Sequence, residues 1–106
     1  MRRRLQLNGR NYRMTEAMRL VLAAVVHGGG QAWGFAICER TALGSGVVYP
    51  VLDKLMAAGV ITSRWEEPTP EDRPRRLYYE PAFDPTWYVT NGLIPAAART
   101  EAHSDG

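Results

Sequence analysis

Cysteine is almost absent from this chain of 106 residues, which contains Cys38 alone. One cysteine cannot form an intrachain disulfide or a cysteine metal cluster, and this fits an intracellular protein. Long hydrophobic runs are also lacking, since the longest, Leu20 to Val26, is far too short to span a membrane. No apolar signal-peptide core follows the N-terminal arginines, so we expect neither secretion nor a membrane partner.

Groups that carry catalysis are scarce as well. The two histidines, His27 and His103, fall at a predicted helix end and in the tail, where they cannot act together. Gly44-Ser45-Gly46 lacks the spacing of a nucleophile elbow. Prolines interrupt the acidic group between residues 66 and 72, which favours a solvated loop over a metal site. We therefore expect no enzyme, no catalytic residue, no bound metal and no cofactor.

Acidic residues are absent from the first 14 positions, and basic residues are concentrated there. The net charge is only +2, so the total charge does not mark a nucleic-acid-binding protein. Clustered arginines can nevertheless neutralise phosphates, although a solvated tail explains the N-terminal group equally well. The N-terminal group consists of Arg2, Arg3, Arg4, Arg10 and Arg13. The later group consists of Arg73, Arg75 and Arg76.

The segment from Leu43 to Gly59 predicts one short helix. Ser45 is the expected N-cap, and Gly59 is the expected stop, because glycine readily adopts positive φ just past a helix end. Helical spacing places Val48, Val51, Leu52, Leu55 and Met56 on one apolar side. The outward residues are Gly46, Val47, Tyr49, Pro50, Asp53 and Lys54. This pattern is typical of an ordinary amphipathic helix and also of a helix that enters a DNA major groove.

The surrounding segments predict a winged helix-turn-helix. Thr15 caps a predicted first helix over residues 16–27. A second helix is predicted over residues 32–41, and it leads through a short turn into the third. The apolar members of the second helix are Trp33, Ile37, Phe35 and Cys38. Residues 60–65 and 75–80 have the β-branched and aromatic content of strands. The polar loop that separates them, residues 66–74, would be the wing.

The tail is harder to interpret. Residues 87–89 fit either a short strand or packing on the core, and Thr90 is the expected cap of a last helix that ends near residue 99. The three tryptophans, Trp33, Trp65 and Trp87, could line a small-molecule pocket, but core packing is favoured because large aromatic side chains dominate small cores. A small-molecule effector is left open.

Four motifs in order resemble the PadR family of bacterial winged-helix transcriptional regulators. Trp33 to Ile37 is similar to the family's opening of helix two, and Gly44 to Leu55, with its Tyr-Pro-x-Leu-x-x-Leu pattern, is similar to its recognition helix. Gly59 to Ile61 follows as in the family, and Arg73 to Tyr79 resembles the family's wing. Together with the first helix, these motifs cover residues 15–80.

The resemblance implies roles for particular side chains. The expected major-groove residues are Ser45, Gly46, Val47, Tyr49, Pro50 and Lys54. The expected wing residues are Arg73, Arg75 and Arg76. Family members dimerise through a C-terminal helix, which would correspond here to residues 90–99. Tyr78 and Tyr79 alternate along a strand, so we expect one of them in the core and the other exposed.

These observations predict an α+β, mostly helical fold with three parts. Residues 1–13 would be a basic arm, 14–80 a winged helix-turn-helix domain and 81–106 a C-terminal extension. The predicted function is a homodimeric, sequence-specific regulator in the bacterial cytoplasm, a repressor that binds double-stranded DNA at an inverted-repeat operator. The alternative is a winged-helix adaptor that binds proteins and no DNA, which the acidic loop at 66–72 favours.

Overall fold

Five strands and four helices follow one another in this computed structural model, which describes residues 4–7, 10–68 and 72–95. The strands are β1 Arg4–Leu7, β2 Arg10–Arg13, β3 Ala32–Trp33, β4 Ile61–Trp65 and β5 Leu77–Pro81. The helices are α1 Glu16–Val26, α2 Gly34–Thr41, α3 Ser45–Ala57 and α4 Pro85–Thr90. In the described part of the chain, no helix has the length and apolar character needed to cross a membrane.

Helix α1 begins as predicted. Thr15 is the N-cap, and its hydroxyl accepts a hydrogen bond from the Met18 backbone N–H at 3.1 Å. The apolar face of α1, which includes Val21, Leu22 and Val25, is fully buried against the other helices and β5. Helix α1 therefore lies at the centre of the core, in contact with α2, α3 and β5.

Helix α2 is shorter than predicted, and this part of the sequence analysis was wrong. Ala32 and Trp33 form the strand β3, which pairs with β5, and the helix starts only at Gly34. The pairing of β3 satisfies backbone groups that a longer helix would have satisfied internally. Phe35 is 57% exposed and is not a core residue, whereas Ile37 is buried as expected.

The C-terminal end of helix α3 was predicted correctly, and its N-cap was not. Its N-cap is Gly44, so the prediction of Ser45 was wrong, and Ser45 is the first helical residue. Gly59 was predicted correctly as the stop, since it has a φ of 78°. The apolar side packs in the core through Val48, Val51, Leu52 and Leu55, but Met56 is half-exposed.

The three-stranded antiparallel sheet has the order β3-β5-β4, with β5 in the middle. Both tyrosines of β5 are buried, which corrects the expectation that one would be exposed. Tyr79 packs into the core, while the ring of Tyr78, on the opposite face, is covered by the Arg64 guanidinium at 4.9 Å. A central strand is flanked on both edges, and long side chains from its neighbours can cover its outer face.

The N-terminal segment predicted as a basic arm contains a β-hairpin. Strands β1 and β2 pair in an antiparallel register from Arg4 opposite Arg13 to Leu7 opposite Arg10. This register leaves two residues for the connection, the Asn8-Gly9 turn signal, which itself lies outside the described residues. The sequence analysis treated residues 1–13 as a basic arm and did not predict these strands.

The C-terminal extension joins the same core as the winged helix. Helix α4 places Tyr88 in the core, and Leu93 and Ile94 are buried after it. Residues 87–89 are helical, so the strand interpretation was wrong, and packing on the core is observed. Thr90 ends a helix where it was expected to begin one, because the Asp84 side chain and Pro85 start α4 earlier. The predicted helix beyond residue 95 lies outside the described residues.

Two contacts hold this extension in place. The Arg19 guanidinium on α1 donates hydrogen bonds to the carbonyls of Gly92 and Leu93, at 3.3 and 3.2 Å. The Tyr88 hydroxyl donates to the Val60 carbonyl and accepts from the backbone N–H groups of Ala82 and Phe83. The extension is thereby fixed to α1 and to the start of β4.

Candidate nucleic-acid interface

Helix α3 presents one exposed stripe to solvent. All six residues predicted for the major groove are exposed, with Tyr49 at 46%. They are Ser45, Gly46, Val47, Tyr49, Pro50 and Lys54. Because successive helical residues are rotated by about 100°, Gly46 and Pro50 lie in the middle of this stripe, with Tyr49 and Ser45 toward one border and Lys54 and Val47 toward the other. Asp53 is also exposed in the stripe.

A cleft of about 410 Å³ lies beside the Tyr49 border of this stripe, between α3, the start of α2 and the wing. We call it the aromatic cleft. Its main walls are Trp33, Tyr49, Trp65, Arg75, Arg76 and Tyr79. Burial, with added effects from Tyr49 and Asp53, raises the pKa of Tyr79, so its hydroxyl stays neutral at physiological pH.

The absence of a side chain at Gly34 leaves room for the Tyr49 ring. A Cβ atom at Gly34 would lie only 1.8 Å from the Tyr49 hydroxyl oxygen, so any larger residue would force the tyrosine to move. The tyrosine therefore packs against the first residue of α2.

A second groove of about 320 Å³ lies beside the Lys54 border of the stripe. We call it the basic groove. It is lined by Arg13 and Lys54 over Thr15, Met18 and Val51. The last residue of the N-terminal hairpin and the recognition-helix candidate thus contribute cations to one surface.

In the wing, the three arginines do not behave alike. Arg73 donates two hydrogen bonds, both 2.9 Å long, to the two carboxylate oxygens of Glu66, in a bidentate ion pair. Arg76 instead stacks over the Trp33 ring at 4.0 Å, while its backbone N–H donates to Glu66. Arg75 is exposed and lines the aromatic cleft. The Glu66 carboxylate therefore neutralises the arginine that comes first in the wing motif.

A known structure has this architecture. The crystal structure of a PadR-like transcription factor from Bacteroides fragilis matches it with a TM-score of 0.55, over 83% of this chain and 84% of that one, at 18% sequence identity. This chain has the fold of a PadR-like transcription factor. The predicted α+β winged helix-turn-helix is thus confirmed as a fold. No family model matches the sequence, and no curated protein matches it.

Within this PadR-like fold, the predicted arginines are distributed unevenly. Arg75 and Arg76 lie next to Tyr49, and Arg13 lies next to Lys54, so these residues share one face with α3. Arg73 lies at the same cleft, but its guanidinium is engaged by Glu66. Arg2 and Arg3 lie outside the described residues, and Arg4 and Arg10 are described by their strand positions alone.

Sequence reasoning assigned one tryptophan of this PadR-like fold incorrectly. Trp65 is 60% exposed and lies in the aromatic cleft together with the half-buried Trp33, so core packing was the wrong expectation for Trp65. Trp87 does pack against the core, stacked on Phe83. The position of Trp65, last in its strand and next to the polar loop, is a signal that could have indicated exposure. Among the described residues, no group of three or more His, Cys, Asp or Glu could hold a metal ion.

We expect the Glu66 carboxyl group to titrate at an unusually low pH because of its ion pair with Arg73. The hydrogen bonds from Arg73, aided by the Arg76 backbone N–H and by the charges of both arginines, lower the pKa of Glu66 from 4.5 to about 2, although desolvation opposes them. The carboxylate contact should therefore be complete above pH 4.5 and lost as the pH falls through about 2. Carbon-detected NMR of the glutamate carboxyl groups measures this pKa directly.

The matched control for this titration is Arg73→Gln. Removal of the guanidinium should return the Glu66 pKa toward 4.5, because the largest stabilising contact is gone. A Glu66 carboxyl that titrates near 4.5 in the parent protein would contradict the bidentate contact.

Proposed function

We propose that this chain is a PadR-family transcriptional regulator, a repressor that binds an inverted-repeat operator as a homodimer in the bacterial cytoplasm. The observation that supports this most directly is the setting of α3. Its exposed stripe lies between the aromatic cleft, with Arg75 and Arg76, and the basic groove, with Arg13 and Lys54. A helix exposed between two groups of cations suits a major groove with a phosphate backbone on each side.

The side chains of the stripe suit base contact. Gly46 and Pro50 are small or compact, so the backbone of α3 can approach the bases closely. Tyr49 and Lys54 can donate hydrogen bonds to base edges or phosphates, and Asp53 can accept one from a cytosine amino group. The first backbone N–H groups of α3, near Ser45, have no partner within the helix and are suited to a phosphate.

The arginines suit the phosphate backbone. The wing would supply Arg75 and Arg76 on one side, and the hairpin would supply Arg13 on the other. Such contacts orient a protein on the duplex without reading its sequence. Repression would then follow from occupancy of the operator, with an effector shifting the fraction of protein that binds.

The test is a titration of the purified protein into a labelled duplex from upstream of its own gene, against a scrambled duplex, at several salt concentrations. We expect tighter binding to the native duplex and affinity that falls steeply with salt. Equal binding to both duplexes calls for selection from a random DNA library. Failure of that selection, or absence of binding at low salt, would refute the proposal.

A protein-binding adaptor is the second candidate, and exposed side chains favour it. Phe35 and Trp65 are large, exposed aromatic residues, and Asp53, Glu67 and Asp72 are exposed acids near the proposed DNA face. Aromatic residues are enriched in protein interfaces, whereas acids oppose phosphate. A complex with a partner protein that is stable at high salt, together with no DNA affinity, would support this candidate over the regulator.

A further inference from the structure

The aromatic cleft is lined by more positive charge than the neighbouring acid, Glu66, can neutralise. Among the described residues, its lining includes three arginines and no Asp or Glu. Arg73 is engaged by Glu66, whose carboxylate also lies close enough to Arg76 for the arginine's charge to lower the Glu66 pKa. In the described part of the chain, neither Arg75 nor Arg76 forms a side-chain ion pair. Their guanidinium groups are thus available to an anion.

The same cleft has flat aromatic walls. The Trp65 indole is 60% exposed at the end of β4, opposite Leu77 in the sheet register. The Trp33 indole holds Arg76 against its face, which orients the guanidinium beside the cleft. An exposed indole next to an oriented guanidinium suits a ligand with both a planar ring and an anionic group.

The charge and size favour one class of such ligands. Two arginines at one cleft suit a phosphate, which carries more charge than a carboxylate and can accept hydrogen bonds from more than one guanidinium group. A cleft of about 410 Å³ falls in the usual size range of small-ligand sites. An indole is a general platform for nucleobases. These features together describe a nucleotide.

We propose that the aromatic cleft binds a nucleotide, with its base on Trp65 and its phosphate between Arg75 and Arg76. Resting on the proposed function, the same geometry gives the nucleotide a regulatory effect. Tyr49, Arg75 and Arg76 belong both to the cleft and to the proposed DNA face. A bound nucleotide and the operator would therefore compete directly, without a conformational change.

Binding is tested on the full chain, without DNA, by isothermal titration calorimetry with AMP, GMP, CMP and UMP at low salt. We expect saturable binding of at least one of them. Ribose 5-phosphate, which lacks the base, should bind about 5- to 150-fold more weakly, the range that stacking on one aromatic residue supports. Inorganic phosphate and benzoate are the anion controls, and either one binding as tightly as the nucleotides would overturn the proposal.

Variants separate the cleft from the rest of the surface. Trp65→Ala removes an exposed side chain and should lower the affinity for the nucleotide that binds by about 5- to 150-fold. Arg75→Ala should weaken it by about 10-fold or more, because a charge-assisted hydrogen bond is lost. Phe83→Ala and Arg40→Ala, which alter an aromatic residue and an arginine outside the cleft, should leave it unchanged. No saturable binding, or binding unaffected by Trp65→Ala, would overturn the proposal.

The source of the nucleotide is distinguished by a short single-stranded oligothymidylate. Tighter binding of this oligomer than of every mononucleotide would indicate an unstacked nucleotide of single-stranded DNA, and the reverse would indicate a free nucleotide. Displacement of the operator by the bound nucleotide tests the competition, and an unchanged operator affinity would overturn that part. Because calorimetry needs no operator, a failure of nucleotide binding can be distinguished from a failure of operator binding.

Discussion

Replacement of Arg75 and Arg76 together by alanine should weaken operator binding by about 10²- to 10⁴-fold. Both arginines line the aromatic cleft together with Tyr49, and neither forms a side-chain ion pair within the described part of the chain. Charge-assisted hydrogen bonds contribute about 1.5–3 kcal/mol each, and every 1.4 kcal/mol is a factor of about ten in affinity. If both guanidiniums contact phosphates, the slope of log affinity against log salt should also fall by about 2.

Fluorescence anisotropy at several salt concentrations measures both quantities. The single variant Arg75→Ala is measured as well, and Arg40→Ala is its matched control, because it removes one positive charge from an exposed arginine on α2 that lines neither the aromatic cleft nor the basic groove. Its effect on affinity should be small and nonspecific. An equal loss of affinity in Arg40→Ala and in Arg75→Ala would show that only total charge matters, and would contradict a role for the wing.

The second large effect is expected for Tyr88→Phe, which should lower the free energy of unfolding by about 1–3 kcal/mol. The Tyr88 side chain is fully buried, and its hydroxyl bridges the Val60 carbonyl and the N–H groups of Ala82 and Phe83. Removal of the hydroxyl leaves these groups without their partner, and burial makes an unsatisfied polar group costly. Urea denaturation should show a lower midpoint with an unchanged slope.

Tyr78→Phe provides the control for that measurement. The Tyr78 ring is also buried, but its hydroxyl makes only a long contact of 3.5 Å to Glu66. A contact of that length is weak, so loss of this hydroxyl should change stability much less. Equal effects of the two substitutions would mean that the Tyr88 hydroxyl does not fix the C-terminal extension to the start of β4.

The Glu66 carboxylate has a structural role that bears on the proposed function. It accepts hydrogen bonds from the Arg73 guanidinium and the Arg76 backbone N–H, while the Glu66 backbone N–H donates to the Arg76 carbonyl at 2.8 Å. These contacts close the base of the wing. An acid that would oppose phosphate if exposed is thereby turned toward the protein, where it orders the loop that carries Arg75 and Arg76.

The sequence by itself determined the features that depend on neighbouring residues. The Thr15 cap, the stop at Gly59 and the buried side of α3 follow from local hydrogen bonding, positive φ and helical spacing. The order of α1, α2, α3, β4 and β5 follows from the same local patterns. The exposure of the six residues proposed for the major groove is the complement of the apolar side, so it too was predictable.

Only the tertiary structure decided the features that depend on distant residues. The strand β3 forms because β5 lies beside it, and both β5 tyrosines are buried because a central strand is covered on both faces. The approach of Tyr49 to Gly34, 15 positions apart, and the stack of Arg76 on Trp33 cannot be read from either segment alone. The pairing of Arg73 with Glu66 depends on the fold of the wing loop. Such contacts arise from packing across the chain, which local propensity does not encode.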